Sequence, residues 1–440
     1  MSIGRILLFI CACGMVLVLQ GILSILYEDR NKAALETNNP DLFVDVEEHG
    51  SSNCVCKETK SSKTLDNTFV DPVQSQRRKT MLTECRSLPG KNYTGTLSEM
   101  QMRKHMIYDD KVNLLFCDLP KVGSTFLKQV LHILYGHRHE NDPFSIKGND
   151  AHTIPFKTFQ KIPYDQALVI LMRSTKFMFV RHPYTRMLSG YVDKIFTNNY
   201  IFWEKTGKII LKHHRPNAST KSKECGHDST FPEFIKHVIS SETSGNFRDP
   251  HWYPMYDACR PCNIQYDVIG KIESFKEDLE KFLKSQHLDE IVDISKMNKG
   301  NENEAISLTV DRAYDVVLQR PKCISLPQAL ERAWKVLQIR GVLSQLADFP
   351  YDMMKKNPNI KKSSFLDVIV KEIERFPLTK SDKELSRKQA IVKAFESVPS
   401  RDLERFNSIF HPDFSIFGYK KITGTKHNKF SNWEPFKLKL

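Results

Sequence analysis

The sequence predicts an α/β protein, a parallel sheet flanked by helices, with a helical insertion, behind an N-terminal transmembrane anchor and a stem. Three observations predict it. Short apolar runs of strand length recur between stretches with helical spacing. Strands that alternate with helices favour a parallel sheet. The chain also opens on an apolar segment long enough to cross a bilayer.

That segment is ILLFICACGMVLVLQGILSILY, residues 6–27, with Gln20 and Ser24 as tolerable interruptions. Roughly 20 residues at about 1.5 Å rise each span a bilayer core. No small-residue cleavage site is evident, so the segment reads as an uncleaved signal anchor. Arg5 and the free amine precede it while Glu28 and Asp29 follow, which puts residues 1–5 in the cytosol and the body in the lumen. Residues 28–104 are polar and rich in Ser, Thr, Asn and charge, and they read as a stem. The basic cluster from Gln76 to Lys79 reads as solvated rather than as a processing site.

Glycosylation sequons at Asn92 and Asn217 fit a lumenal body. So does cysteine usage. Cys54, Cys56, Cys85, Cys117, Cys225, Cys259, Cys262 and Cys323 lie beyond the anchor, and an even set in an oxidising compartment suggests disulfides of undetermined pairing. Cys117 lies in an apolar strand, where a buried free thiol is the alternative. Cys259 and Cys262 match a redox pair or half a zinc site, but no second CxxC or HxxxH accompanies them. The reading adopted is a structural disulfide role.

The core reads as residues 105–290. VNLLFCDL (112–119) is a continuous apolar strand, and Phe126, Leu127, Val130, Leu131 and Leu134 then recur at helical spacing up to Gly136, a helix stop. KFMFV (176–180) is a second strand with a helix after it, and YDVIGKIES (266–274) a third, followed by KEDLEKFLKS. Residues 291–400 read as a helical insertion or lid without chemistry of its own. Ser325 with Gln328, and Ser381 with Glu384, have capping-box spacing there. Residues 401–440 read as the C-terminal part of the core, and RFNSIFHPDFSIFGYKK looks strand-like.

The chain has 440 residues and a formal charge of +13. Such an excess of Lys and Arg favours an anionic partner. PKVGST, residues 120–125, sits between strand and helix, where unpaired backbone N–H groups and the helix dipole attract anions. Gly123 permits close approach, Ser124 and Thr125 add hydroxyls, and Lys121 adds charge. A nucleotide loop of the GxxxxGK type places its lysine after the glycine, so a Mg²⁺-dependent phosphotransferase is disfavoured. A second stretch, FVRHPYTRMLSGY (179–191), places Arg181 at a strand's carboxyl end and Ser189 two turns into the next helix. Ligands of open α/β sheets bind at that edge, and arginine grips phosphate by a bidentate fork.

These stretches resemble the 5′-phosphosulfate and 3′-phosphate motifs of Golgi carbohydrate sulfotransferases, a P-loop-like fold. The resemblance is to the branch with chondroitin/dermatan 4-O-, N-acetylgalactosamine 4- and HNK-epitope glucuronyl 3-sulfotransferases. Its PKVxxTxxK loop matches Pro120, Lys121, Val122, Thr125 and Lys128. Its RxPxxRxxSxY segment matches Arg181, Pro183, Arg186, Ser189 and Tyr191. A block from His251 to Leu279 and the tail HPDFSIFGY are also similar, and the resemblance covers roughly 110–280 and 405–420.

The resemblance implies that 3′-phosphoadenylyl sulfate (PAPS) is the sulfuryl donor. Lys121, Val122, Gly123, Ser124, Thr125, Phe126 and Leu127 would hold its 5′-phosphosulfate. Arg181, His182, Pro183, Tyr184, Thr185, Arg186, Met187, Leu188 and Ser189 would hold its 3′-phosphate. Lys121 would neutralise the leaving oxygen, with no metal required. His251 is the first candidate for general base, with the Trp252 indole beside it to stack on a sugar face. His132 and His182 read as structural or peripheral. The acceptor would be an acidic glycan or glycosaminoglycan, chondroitin or dermatan first, and nucleic acid is not expected. The location would be the Golgi membrane, single-pass type II. A non-catalytic nucleotide- or glycan-binding Golgi protein on the same fold is the competing reading.

Overall fold

The computed structural model describes residues 71–88, 103–421 and 433–439. The cytoplasmic tail, the anchor at 6–27, most of the stem, Cys54, Cys56 and the Asn92 sequon lie outside the described residues. Among the described residues no helix is long and apolar enough to cross a membrane.

Leu114–Cys117 (β2) has no polar side chain and is buried throughout, as a strand covered on both faces must be. It lies in a four-stranded sheet of order β1-β2-β3-β4, with β1 at Met106–Asp109, β3 at Thr175–Val180 and β4 at Val268–Lys271. β2, β3 and β4 run parallel, with Phe116 opposite Phe177 and Met178 opposite Ile269. The expected all-parallel sheet is thus a mixed one, because β1 pairs antiparallel with β2 at its edge. The turn between them explains the reversal. Asp109 Oδ1 accepts from the amides of Lys111 (2.8 Å) and Val112 (3.3 Å), and Asn113 takes φ +50°. Phe116 stacks on Phe177 at 4.9 Å, and Phe177 meets Phe282 of the helix Phe275–Ser285 at 4.4 Å. At Gly270 a Cβ would fall inside the Phe179 ring, so only glycine lets β4 approach.

Two expectations are corrected at the ends of the chain. The stem contains a helix, Pro72–Ser87, that packs on β4 and on the helix His411–Ile416. Its Arg77, read as part of a solvated cluster, pairs with Asp278 at 2.7 Å and donates to Ile269 O at 2.7 Å. The tail is helical, Ser400–Ile409 then His411–Ile416, and not strand-like. Phe406, Phe410 and Phe414 are buried at a spacing of four, a helical period.

The cysteines form disulfides as expected, with the pairing now defined. Cys117 is no free thiol, since it bonds Cys259, while Cys262 bonds Cys85 and Cys225 bonds Cys323. Cys259 and Cys262 keep a structural role, each with its own partner, which excludes a redox pair between them.

Residues 291–400 are helical as read, including Met297–Gln319, Leu326–Ile339, Lys362–Arg375 and Lys380–Glu396. Ser325 and Gln328 form the expected capping box. The second box is Thr379 with Asp382, two residues before the expected pair, directly after Pro377 ends the preceding segment. The insertion shares a hydrophobic core with Trp203, and Cys225–Cys323 ties it to the sheet-bearing part of the chain.

A fragment that begins at residue 105 lacks Cys85 and Arg77, leaving Cys262 without its disulfide partner and Asp278 without its cation. Its urea midpoint should fall below that of a 28–440 fragment by about 2–5 kcal/mol of stability. Equal midpoints would remove the helix Pro72–Ser87 from the folded body.

Candidate active site

After β2 the chain turns into the helix Ser124–Leu134 through two left-handed residues, Lys121 (φ +71°) and Gly123 (φ +79°). A Cβ on Gly123 would lie 2.9 Å from Phe275 Cε2 and 3.2 Å from Ile272 Cδ1, so the turn demands glycine in conformation and in space. Gly123 is the N-cap, and no side chain caps the helix. Its first amides therefore keep unmet donors at the positive end of the dipole. They open on a cavity of about 650 Å³.

Lys121, Gly123, Ser124, Thr125 and Phe126 line this cavity from the loop, and Arg181, Thr185, Leu188 and Ser189 from the second motif. His251 lines it too. Stretches far apart in sequence thus meet at the carboxyl ends of β2 and β3. The other expected contacts lie elsewhere. Val122 and Leu127 are buried in the sheet core, and Tyr184 and Met187 in the core beneath the helix Pro183–Tyr191. His182 caps that helix and bonds Lys420 O at 3.0 Å, with Pro183 in its first turn. Arg186 is wholly buried and donates to the carbonyls of Pro120 (3.2 Å), Pro250 (2.9 Å) and Tyr253 (2.6 Å). It joins the anion loop to the segment that carries His251.

The charges in the cavity have defined partners. Arg181 donates from Nη1 to Lys121 O (3.2 Å) and from Nε to Thr185 Oγ1 (3.0 Å). Burial pulls its pKa to about 10, so it stays charged. Lys121 Nζ lies 2.7 Å from Asp193 Oδ2. Burial pulls the Lys121 ammonium down to about 8, against the opposing pull of Asp193. Burial also disfavours the Asp193 charge, yet Lys121, Arg312, Lys194 and Arg340 together hold it well below the carboxylate range.

His251 Nδ1 lies 2.6 Å from Asp249 Oδ1, which also accepts the His251 amide at 3.0 Å. Burial works against the Asp249 carboxylate, but His251 and Lys205 lower its pKa on balance. An ionised Asp249 requires the proton on Nδ1, leaving the Nε2 lone pair to accept another. Burial, reinforced by Lys194 and Lys121, holds His251 below 6.5 despite Asp249.

Trp252 overturns an expectation. It is fully buried, edge-on to Phe234 at 5.2 Å, and presents no face to a sugar. His132 is buried against Phe156. Asn217 is exposed, just before the helix Thr220–Cys225 that Ser219 caps. No group of three or more His, Cys, Asp or Glu side chains is placed to hold a metal among the described residues.

Other site residues were missed from sequence. Asp193 lies four residues after Ser189, one helical turn on, and Asp249 two before His251, so spacing carried a signal for both. His152 bonds Thr125 Oγ1 at 3.0 Å from within the core segment. The insertion, read as lacking chemistry, lines the cavity with Asn301, Glu302, Arg340 and Arg387, for which no motif gives warning.

Residues 104–319 match the sulfotransferase family. Carbohydrate sulfotransferase 11 of Rattus norvegicus is 32% identical over 219 residues, 49% of this chain and 61% of that protein. Carbohydrate sulfotransferase 14 of Danio rerio is 31% identical over 237 residues, 52% of this chain and 62% of the relative. For carbohydrate sulfotransferase 8 of Homo sapiens the figures are 30% over 223 residues, 50% and 52%. The chain spans less than two thirds of the length of these relatives. No solved structure matches it significantly. The matched residues, 104–319, hold the anion loop, the Arg181–Ser189 segment and His251.

Proposed function

We propose that the protein is a carbohydrate sulfotransferase that moves a sulfuryl group from PAPS to a sugar hydroxyl. The observation that carries this reading is the meeting of Lys121, Arg181, Ser189 and His251 around one cavity at an uncapped helix start. The residues present fit the donor. Gly123 leaves a cradle that a Cβ would fill, the loop amides and the Ser124 and Thr125 hydroxyls suit one anionic group, and Arg181 and Ser189 suit another. PAPS is consumed as a substrate and supplies the sulfuryl group, leaving as adenosine 3′,5′-bisphosphate.

The chain's own residues have these roles. His251 Nε2 takes the proton of the acceptor hydroxyl as its oxygen bonds to sulfur. Asp249 keeps the ring in the tautomer that can do so and stabilises the imidazolium. As the bond from sulfur to the phosphate oxygen breaks, Lys121 and the helix start meet the charge that develops there. Arg186 keeps the loop and the base at a fixed separation.

The acceptor is read as a glycosaminoglycan or glycoprotein glycan, chondroitin/dermatan-type N-acetylgalactosamine first. Support comes from the motif resemblance, from the carbohydrate named in the relatives' names, and from the cations along the cleft. The resemblance and the apolar run at 6–27 support a type II Golgi location.

The test is sulfate transfer from labelled PAPS by a 28–440 fragment, with desulfated chondroitin, dermatan, N-acetylgalactosamine-terminated and glucuronate-terminated glycans as acceptors. Wild type should incorporate label. Lys121→Ala should lower kcat by about 10²–10³-fold. Arg181→Ala should weaken binding of adenosine 3′,5′-bisphosphate by about tenfold or more. A folded fragment that binds this nucleotide but transfers nothing would support the competing non-catalytic reading. One that does not bind it would sink the sulfotransferase reading.

The pH profile follows from the site's two titrating groups. Lys121 must be protonated, so kcat/KM should fall as pH rises through about 8. His251 must be neutral, so kcat/KM should fall only as pH drops below 6.5. Asp249→Asn should lower kcat by about 10²-fold or more, since it removes the tautomer's anchor. Retention of full activity by Asp249→Asn would exclude His251 as base.

A further inference from the structure

Asp193 is unlike the other acidic groups of the cleft. Asp118 faces Lys128 and Glu302 faces Lys383, one cation each. The Asp193 carboxylate is shared by four. Oδ2 takes Lys121 at 2.7 Å and Lys194 at 3.4 Å, while Oδ1 takes Arg312 at 2.9 Å and Arg340 at 3.5 Å. These cations come from three parts of the chain. Lys121 belongs to the anion loop, and Lys194 follows the helix Pro183–Tyr191. Arg312 lies within Met297–Gln319, and Arg340 directly follows Leu326–Ile339.

We propose that Asp193 is a positioning residue for the transfer, which holds Lys121 toward the cleft and fastens the helical insertion to the anion loop through Arg312 and Arg340. The inference rests on the role given to Lys121 above. Asp193 needs no contact with the reacting atoms, because it acts through the ammonium it holds.

Two further observations point the same way. Four cations against one carboxylate leave a surplus of three positive charges (4 − 1) in a half-buried cluster beside the uncapped helix start. A network serving stability alone gains from balanced charge, and a surplus beside a cavity suits an arriving anion. The cluster also continues around the cleft. Arg340 O accepts from Arg387 Nε at 2.9 Å, Arg387 and Arg181 both line the cavity, and Arg181 donates to Lys121 O. Asp193 is thus the carboxylate on which Lys121, Lys194, Arg312 and Arg340 converge.

The test reads the protonation of Lys121 in two ways. Lys121 is faced by Asp193, Lys194 and Arg340, with His251 across the cleft, and Asp193 is faced also by Arg312. Loss of the negative charge in Asp193→Asn leaves only cations around the ammonium. Its pKa falls, and the alkaline limb of kcat/KM should move to lower pH by about one unit or more. At pH 7.5 a one-unit move down from about 8 should lower kcat/KM by about threefold. Arg340→Gln removes a cation, so the limb should move to higher pH. Asp193→Glu should restore the wild-type profile. A merely structural role would not produce opposite movements in the two variants.

Acetylation of the Lys121 amine by acetic anhydride across the same pH range, read by peptide mass spectrometry, should follow the same order without any need for turnover. If labelling shifts as expected while wild type transfers no sulfate, the Lys121–Asp193 link stands and the transferase reading falls. If Asp193→Asn does not fold, Arg340→Gln carries the test. Unmoved limbs and labelling profiles in the folded variants would overturn the proposal.

Discussion

Positive charge held out of water is the constraint that organises this protein's cleft. Lys121, Arg181, Arg186 and Arg340 are all largely enclosed, and an isolated buried cation costs several kcal/mol. The chain meets that cost in different ways. Arg186 is surrounded by three backbone carbonyls, Arg181 by a carbonyl and a hydroxyl, and Lys121 by a carboxylate. Arg186, fully satisfied, is a strut. Lys121 and Arg181 keep hydrogen-bonding capacity directed at the cavity, which makes them suited to an anion.

The scaffold exists to hold those groups at fixed separations. β2 and β3 end side by side, so the loop after one and the helix after the other share an edge. The stacked phenylalanines and the close approach at Gly270 hold the strands. Cys117–Cys259 then ties β2 to the segment just after His251, while Cys85–Cys262 ties the first helix to the same stretch. Neighbouring cysteines with separate partners brace the segment after His251 from two directions.

The insertion changes how the cleft is understood. It is built around its own core with Trp203 and Trp334, yet it lines the cavity with Arg340 and Arg387 and brings Arg312 to Asp193. A cleft lined by a second set of cations is suited to anionic groups. The insertion is therefore part of the site as well as a cover for it.

Much of this was legible in the residues alone. Apolar runs predicted β2 and β3, since a strand buried on both faces has little room for polar side chains, and YDVIGKIES predicted β4. A glycine between a lysine and two hydroxyls predicted the anion loop, since local backbone geometry and helix-end chemistry are set within a few residues. The resemblance placed Lys121, Arg181 and Ser189 in a shared role. What local pattern could not decide were facts of long-range contact. Cys117 met a partner 142 residues away, and Trp252 turned into a core. Arg312 and Arg340 found Asp193 across more than a hundred residues of chain. The sequence by itself determined the central strands and the loop-to-helix turn beside them, because strand burial and helix-end geometry act locally. Only the tertiary structure decided which cations converge on one carboxylate, because that depends on how separate helices pack.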